Sequence, residues 1–315
     1  MRALEKLNEE KLLFYDIETA PLVKELEPDT PLYDSWEYKK SRDGVVEQKD
    51  IIESYSNEAG LYPEFARVVC ISVGKIIDGK IKVFSFNDSD EKTLLERFNR
   101  LVERNIDNTI VGFVNVGFDT PFVFKRMVIN GVNFSSKLDN SGLKPWEVSE
   151  VDLAETWKGT SYNRASLINI ATAFGLPSPK DDISGKDVGR VYWENPDSNI
   201  GRITEYCQRD VITTINIFRK MRLQDPLEVY ESEEEVTPTK PLTTLERLFN
   251  GGRYTTEDRE KLIELLKGLN QDEREVAYNI LNGLVSRAKD KKTKITKAHI
   301  TAIKKEVENE EVKLT

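Results

Sequence analysis

The segment KLLFYDIET, residues 11–19, decides the fold. Its apolar run Leu12–Tyr15 is short, rich in aromatic residues and bounded by polar ones, which is typical of a buried central strand. Asp16 and Glu18 follow, and residues two apart in a strand point to the same face. Two adjacent like charges favour a divalent cation, because hard cations such as Mg²⁺ take carboxylate ligands. Acidic pairs at strand ends are also common without a metal, so this pair alone favours a solvated strand terminus.

The composition is that of a globular protein, since 38% of the 315 residues are hydrophobic and 32% are charged. No stretch approaches the roughly 20 apolar residues that cross a bilayer. The first residues lack the apolar core of a signal peptide. We therefore expect a cytoplasmic protein with no membrane partner. The two cysteines, Cys70 and Cys207, have no spacing typical of a disulfide framework or a metal knuckle.

The net charge of −9 disfavours tight, non-specific binding of a polyanion. The charge is uneven, because residues 243–315 hold 15 Lys and Arg against 13 Asp and Glu, a net of +2, which leaves −11 for the residues before them. An acidic body can still bind a polyanion if metal ions neutralise its carboxylates and local basic groups line the path. The charge balance is therefore compatible with an enzyme that acts on one strand end.

An α/β pattern follows the first strand. Apolar segments predict four further strands, at 65–75, 80–86, 109–114 and 147–153. Amphipathic patterns predict four helices, at 88–105, 120–130, 166–174 and 199–221. Residues 20–62 lack strong periodicity, apart from a helix-compatible stretch at 32–40, and we interpret them as an irregular insert that packs over one edge of the sheet.

A change in composition divides the chain near residue 231. Residues 231–243 are acidic and contain proline, which is typical of a linker between domains. Beyond them the apolar pattern is helical, at 257–269, 272–288 and 296–308. We expect an α/β domain over residues 1–230 and a small all-helical domain over residues 244–315. Segment 286–305 has eight Lys and Arg against one Asp, which suits a phosphate backbone and equally an acidic protein partner.

Three further residues are candidates for the same site as Asp16 and Glu18. Asp119 follows the strand 109–114 at the opening of a helix, a position where α/β sheets hold ligands. Asp210 lies on the long helix, with Tyr206 four residues earlier on the same face. Four converging carboxylates suit two divalent metals about 3.5–4 Å apart, which stabilise the attacking and leaving oxygens of a phosphodiester displacement. The tyrosine hydroxyl would then orient the attacking water.

Three short motifs, in this order and spacing, resemble the exonuclease motifs of the DEDD superfamily: Asp16-Ile17-Glu18-Thr19, Asn115-x-x-Phe118-Asp119 and Tyr206-x-x-x-Asp210. The tyrosine is typical of the DEDDy branch, which includes the proofreading domains of family-A and family-B DNA polymerases. Residues 62–74 and 167–187 are similar to stand-alone exonucleases that resemble the family-B domain, many of them from phages. The resemblance covers about residues 11–222.

The resemblance implies an α/β, RNase H-like fold, in which helices flank a mixed five-stranded sheet with an antiparallel second strand. It also implies removal of nucleotides from a 3′ end with two Mg²⁺ or Mn²⁺ ions. By position it assigns the metal ligands, directly or through water, to Asp16, Glu18, Asp119 and Asp210, and the water-orienting role to Tyr206. Candidates for contacts to the terminal nucleotide are Thr19, Asn115 and Phe118.

The other branch of the superfamily uses a histidine five residues before the last aspartate. That position is Glu205 here, and the only histidine is His299 in the tail, so the sequence excludes a histidine base. We expect the substrate to be the 3′ end of single-stranded or frayed DNA, in replication, repair or proofreading, and in the host cytoplasm if a phage encodes the protein. The helical tail is expected to bind a replication protein.

Two other functions stay open. One is an exoribonuclease that trims RNA 3′ ends, because recognition of the 2′-OH depends on pocket contacts that the motifs do not reveal. The other is a non-catalytic module that holds a 3′ end or recruits a replication partner.

Overall fold

The computed structural model describes residues 2–144, 147–178, 183–230, 262–263, 266–267, 301 and 303–304. The chain divides into two compact units, Met1–Tyr230 and Glu231–Thr315. The described residues of the second unit are helical, and four of them are buried: Leu262, Ile263, Leu266 and Ile303. The linker predicted at 231–243 and most of the helical domain predicted at 244–315 lie outside the described residues.

A mixed five-stranded sheet forms the centre of the first unit, in the order β3-β2-β1-β4-β5. Its strands are β1 (Leu12–Pro21), β2 (Ala66–Ile77), β3 (Lys80–Phe86), β4 (Thr109–Gly112) and β5 (Val151–Asp152). The pairs β1–β2 and β2–β3 are antiparallel, whereas β1–β4 and β4–β5 are parallel. The expected RNase H-like sheet with an antiparallel second strand is confirmed.

The helices of the first unit include the four that apolar periodicity predicts, here α4, α5, α7 and α9. Among its described residues, the α-helices of the first unit are α1 (Arg2–Glu5), α2 (Pro31–Ser41), α3 (Gln48–Glu58), α4 (Glu91–Arg104), α5 (Asp119–Ile129), α6 (Leu153–Lys158), α7 (Leu167–Ala173), α8 (Val188–Glu194) and α9 (Pro196–Met221). Within the described residues, no helix is both long enough and apolar enough to cross a membrane.

The expectation of an irregular insert at residues 20–62 is wrong, because α2 and α3 lie within it and share a small core. The Trp36 ring packs edge-on against the rings of Tyr55 and Phe65, at 5.5 and 4.9 Å between centroids. The Trp36 indole N–H donates to the Ile51 carbonyl at 3.2 Å. Each helix buries only two or three side chains, mostly aromatic, so its apolar periodicity is weak in the sequence.

The strand predicted at 147–153 is shorter than expected. Only Val151 and Asp152 pair, with Val111 and Gly112 of β4. Because β4 ends at Gly112, β5 has no partner beyond Asp152, whereas residues 147–150 stay outside the sheet although β4 extends back to Thr109. The apolar pattern of a segment does not reveal where its partner strand ends.

The two faces of β1 meet different helices, as its alternation predicts. Leu13, Tyr15 and Ile17 pack in one core with α4 and α5. Leu12 and Phe14 pack in a second core with α9, where the rings of Phe14 and Phe218 are 5.5 Å apart in an edge-to-face arrangement. Asp16 and Glu18 continue the series that begins with Leu12 and Phe14, so they project towards α9.

Helix α9 crosses the sheet at Gly74 of β2. A Cβ atom at this glycine would lie 2.6 Å from Val211 Cγ1 and 2.7 Å from Ile215 Cδ1, so only glycine allows this close approach of helix and sheet. Asp210 directly precedes Val211. The contact at Gly74 therefore sets how near Asp210 lies to the central strand.

We predict that Gly74→Ala lowers the free energy of unfolding by about 1–3 kcal/mol, because the new methyl group forces the α9 side chains to shift. Chemical denaturation measures the change. The matched control is Gly201→Ala on the same helix, where a Cβ atom meets nothing within 4 Å. That variant should be neutral or more stable by up to about 1 kcal/mol. Equal stability of the two variants would contradict the role given to Gly74.

Candidate active site

Asp16 and Glu18 lie where the α9 face of β1 leaves the hydrophobic core. Asp16 is partly exposed, and Glu18 is only 6% exposed. The register between β1 and β2 shifts directly after Glu18. Glu18 pairs with Cys70, whereas Thr19 pairs with Val68, so β2 has one extra residue at this point. Such a bulge re-aims neighbouring side chains and is common beside active sites.

Asp119 reaches β1 from the adjacent strand connection. Its Oδ1 accepts a hydrogen bond from the backbone N–H of Ile17, at 3.1 Å. Strand β4 pairs with β1 only as far as Phe14 and Val111, so the Asp119 carboxylate occupies the edge of β1 that β4 leaves uncovered. Asp119 is 4% exposed and is the first residue of α5. The helix start and the strand edge together fix this carboxylate beside Asp16.

Tyr206 and Asp210 lie one turn apart on α9, and their side chains are hydrogen-bonded to each other. Tyr206 is 9% exposed. A Cβ atom at Gly185, in the segment before α8, would lie 3.9 Å from the Tyr206 hydroxyl, so this segment passes beside the phenol oxygen.

Burial raises the pKa values of all four carboxylates, and for Asp16 and Glu18 the charges of the other members add to this effect. For Asp16 the pKa is well above its usual value, first because of desolvation and then because of the charges on Asp119 and Asp210. For Glu18 desolvation again comes first, followed by the charges of Asp16 and Asp210. Desolvation raises the pKa of Asp119 and that of Asp210 to about 7. The structure therefore brings the four predicted carboxylates into one electrostatic cluster.

The phenol of Tyr206 stays protonated at neutral pH. Desolvation raises its pKa further above the usual value, and the charges of Asp210, Glu18 and Asp16 add to this effect. A protonated phenol can donate to Asp210 and still accept a hydrogen bond through its oxygen.

The three predicted nucleotide-contact residues have different surroundings. Thr19 is partly exposed, and its hydroxyl donates to the Gly60 carbonyl at 2.7 Å. Phe118 is half-buried and packs against Phe122 with ring centroids 5.4 Å apart. Asn115 is fully buried, and no group within the described residues bonds to its Oδ1 atom. Their contacts with a nucleotide stay predictions, and full burial leaves Asn115 no exposed surface in this conformation.

Two features that the sequence analysis missed support the site. Glu150 accepts hydrogen bonds from Asn115 Nδ2 at 2.7 Å and from the Thr120 hydroxyl at 2.6 Å, so it ties the connection before α5 to the start of that helix. Cys207 Sγ lies 3.6 Å from Asp16 Oδ2. The sequence does give a weak signal for Cys207, because this residue directly follows the tyrosine of the third motif.

The donor set fits a divalent cation. The four carboxylates interact electrostatically, and burial together with the charges of Asp16, Asp210 and Asp119 raises the pKa of Glu18. Asp16, Glu18 and Cys207 can each supply a ligand atom within 4.8 Å of the others. Buried charges of one sign require a compensating cation or protonation.

The sequence match agrees with this site. The model of a family described as "Predicted 3'-5' exonuclease related to the exonuclease domain of PolB" matches residues 61–250, more than half of the chain. The chain belongs to this family. Asp119, Tyr206 and Asp210 of the PolB-related exonuclease lie inside the matched range, whereas Asp16 and Glu18 precede it.

One structure similar to this PolB-related exonuclease is the family B DNA polymerase from the hyperthermophilic archaeon Pyrobaculum calidifontis, with 21% sequence identity and a TM-score of 0.45. The match covers 67% of this chain and 24% of the polymerase, so the chain spans about a quarter of that polymerase. None of the curated proteins compared with the chain matches it.

We predict that Asp119→Asn stabilises the metal-free protein at pH 8, by up to about 4 kcal/mol in the free energy of unfolding, the equivalent of the rise in pKa. The folded-state pKa of about 7 lies above the usual 3.8, so the carboxylate costs stability as the pH rises through this range. Asparagine removes the charge and keeps an acceptor for Ile17 N–H. Thermal unfolding at pH 5 and pH 8 measures the effect, and the wild type should lose more stability between them than the variant.

The control for this prediction is Asp90→Asn at the start of α4. Hydrogen bonds from Thr93 lower the pKa of Asp90, so removal of its charge should slightly destabilise the protein at pH 8. The same sign for both variants would contradict the electrostatic explanation.

Proposed function

We propose that this chain is a DEDDy-type, metal-dependent 3′→5′ exonuclease that removes nucleotides from single-stranded or frayed DNA 3′ ends in replication, repair or proofreading. One observation carries the proposal: Asp16, Glu18, Asp119 and Asp210 form a single desolvated cluster with Tyr206 beside it, in a member of a PolB-related exonuclease family. The motif spacing and the geometry thus point to the same five residues.

The four carboxylates would hold Mg²⁺ or Mn²⁺, both of which prefer carboxylate oxygen ligands. When bound, a pair of such cations stabilises the attacking and leaving oxygens of an in-line phosphodiester displacement. A substrate phosphate can then lie next to the four carboxylates without being repelled, because the cations offset the negative charge of the carboxylates. This resolves the conflict between an acidic body and an anionic substrate.

Tyr206 would position the attacking water. Its hydroxyl is bonded to Asp210 and stays protonated, so the phenol oxygen keeps a free lone pair for a water proton. A fixed acceptor of this kind holds the water oxygen towards the phosphorus atom and reduces the entropy cost of the attack.

The terminal nucleotide would lie against the rim of the cluster. Phe118 presents a half-buried ring beside Asp119, and such rings stack on bases or sugars without sequence preference. Thr19 is held by the Gly60 carbonyl directly beyond Glu18. Asn115 would support the site from the interior without contacting the nucleotide. Its side-chain amide donates a hydrogen bond to Glu150, which also accepts one from Thr120 at the start of α5.

We predict that the double variant Asp16→Ala/Glu18→Ala loses at least about 10³-fold of the nucleotide release from a 3′-labelled oligonucleotide with Mg²⁺. Chelation of the metal should abolish the wild-type activity equally. Wild-type protein as inert as the double variant would overturn the proposal and favour a binding module.

For Tyr206→Phe we predict a loss of about 10²-fold or more in kcat, because the water loses its acceptor. The matched control is Tyr192→Phe, since Tyr192 is buried in the same hydrophobic cluster as Tyr206. Single-turnover assays compare the two variants. Equal rates would remove the role given to the Tyr206 hydroxyl.

Matched DNA and RNA oligonucleotides with free or blocked 3′ ends test the substrate. We expect faster shortening of DNA and no reaction when the 3′ end is blocked. Faster digestion of RNA would make the protein a 3′-end trimming exoribonuclease, and cleavage of 3′-blocked strands would contradict exonuclease polarity.

A further inference from the structure

Cys207 is a side chain of the carboxylate cluster to which the proposed reaction gives no role. It is fully buried, and its thiol lies 3.4 Å from the Asp16 carbonyl oxygen and 3.6 Å from Asp16 Oδ2. Sγ of Cys207 and one oxygen each of Asp16 and Glu18 lie within 4.8 Å of one another. A sulfur donor therefore shares the space between the two carboxylates.

Glu18 supplies an independent sign that this space takes a cation. Glu18 as a residue is 6% exposed, and within the described residues its carboxylate has no hydrogen-bond donor and no cationic partner. A buried carboxylate without either is costly, and a cation in front of it removes the cost. The unpaired oxygens belong to the same three-donor group as Cys207.

The spacing suits a metal that accepts sulfur. Zinc binds sulfur at about 2.3 Å and carboxylate oxygen at about 2.1 Å, so tetrahedral geometry places the two ligand atoms about 3.6 Å apart. The Cys207 thiol donates a hydrogen bond to Asp16 Oδ2, and the distance of 3.6 Å between the two atoms equals this metal-ligand spacing. Thiolate ligands select soft cations, whereas carboxylates alone select Mg²⁺ or Mn²⁺.

We propose that Asp16, Glu18 and Cys207 form a mixed carboxylate–thiolate site for a thiophilic divalent cation such as Zn²⁺ or Cd²⁺, which excludes Mg²⁺ or Mn²⁺ and inhibits the enzyme. The inhibition rests on the proposed exonuclease function, whereas the binding does not. As the metal–sulfur bond forms, the thiol proton leaves to solvent, and the cation takes its place between Sγ and Asp16 Oδ2.

Cadmium reports this site directly, because a Cd²⁺–thiolate bond gives a charge-transfer absorption in the ultraviolet, at shorter wavelength than the aromatic bands, which a difference spectrum resolves. Titration of the full-length protein should produce this band and saturate at one Cd²⁺ per chain. The band should disappear in Cys207→Ser and in Cys207→Ala. In Glu18→Gln the affinity for Cd²⁺ should fall by at least about tenfold.

The matched control is Cys70→Ser. Cys70 is the other free, buried cysteine, and it is hydrogen-bonded to Cys207 but does not belong to the three-donor group. This variant should keep the band. A band that survives in the Cys207 variants, or that disappears in Cys70→Ser, would overturn the assignment.

X-ray absorption at the cadmium edge tests the wild type without any substitution. We expect one sulfur and otherwise oxygen ligands. A shell of oxygen alone, or one with two sulfurs, would contradict the site.

Nuclease assays then test the inhibitory role. At saturating Mg²⁺, Cd²⁺ should inhibit wild type at concentrations at least about tenfold lower than it inhibits Cys207→Ser. Equal inhibition of the two would refute the regulatory part. If the wild type has no nuclease activity at all, the exonuclease proposal fails, whereas the cadmium spectra still decide whether the metal site exists.

Discussion

Mutual repulsion of four carboxylates withdrawn from water is the constraint on which the rest of this structure depends. Asp16 and Glu18 project from the central strand towards α9, and both interact with the charges of Asp119 and Asp210. Without a cation, this arrangement costs stability at neutral pH, as the raised pKa values show. The surrounding fold therefore has to hold the four groups together against their own electrostatics. A cation bound as proposed would relieve this repulsion, and the relief would add to its binding free energy.

Apolar packing and backbone contacts hold the four carboxylates together against their repulsion. Phe14, directly before the acidic pair on the same face of β1, packs against Phe218 of α9. Gly74 lets the helix approach the sheet closely, and Ile17 N–H anchors Asp119 where β4 has ended. Glu150 fixes the start of α5 through Thr120. Each carboxylate is thus attached to a strand or a helix, which suits the proposed metal site, because such a site needs fixed ligand positions.

The insert at residues 20–62 adds a separate layer beside this centre. Its helices α2 and α3 have their own aromatic core around Trp36, and the chain returns to the sheet through the turn at Gly60. There the Gly60 carbonyl accepts a hydrogen bond from Thr19, next to the strand bulge. The insert is thereby fastened to the rim of the cluster, where a nucleotide would lie.

The sequence by itself determined the local periodicities. The alternation of β1 predicts that Asp16 and Glu18 share a face, and the four-residue spacing predicts the same for Tyr206 and Asp210 on α9. Three motifs in order then identified the fold and the candidate ligands. Tertiary structure alone decided that Cys207 joins the acidic pair, that Asn115 is buried on Glu150, and that β5 has only two residues. These facts depend on contacts between residues far apart in the chain, and such contacts are set by the packing of whole elements, which no local pattern encodes.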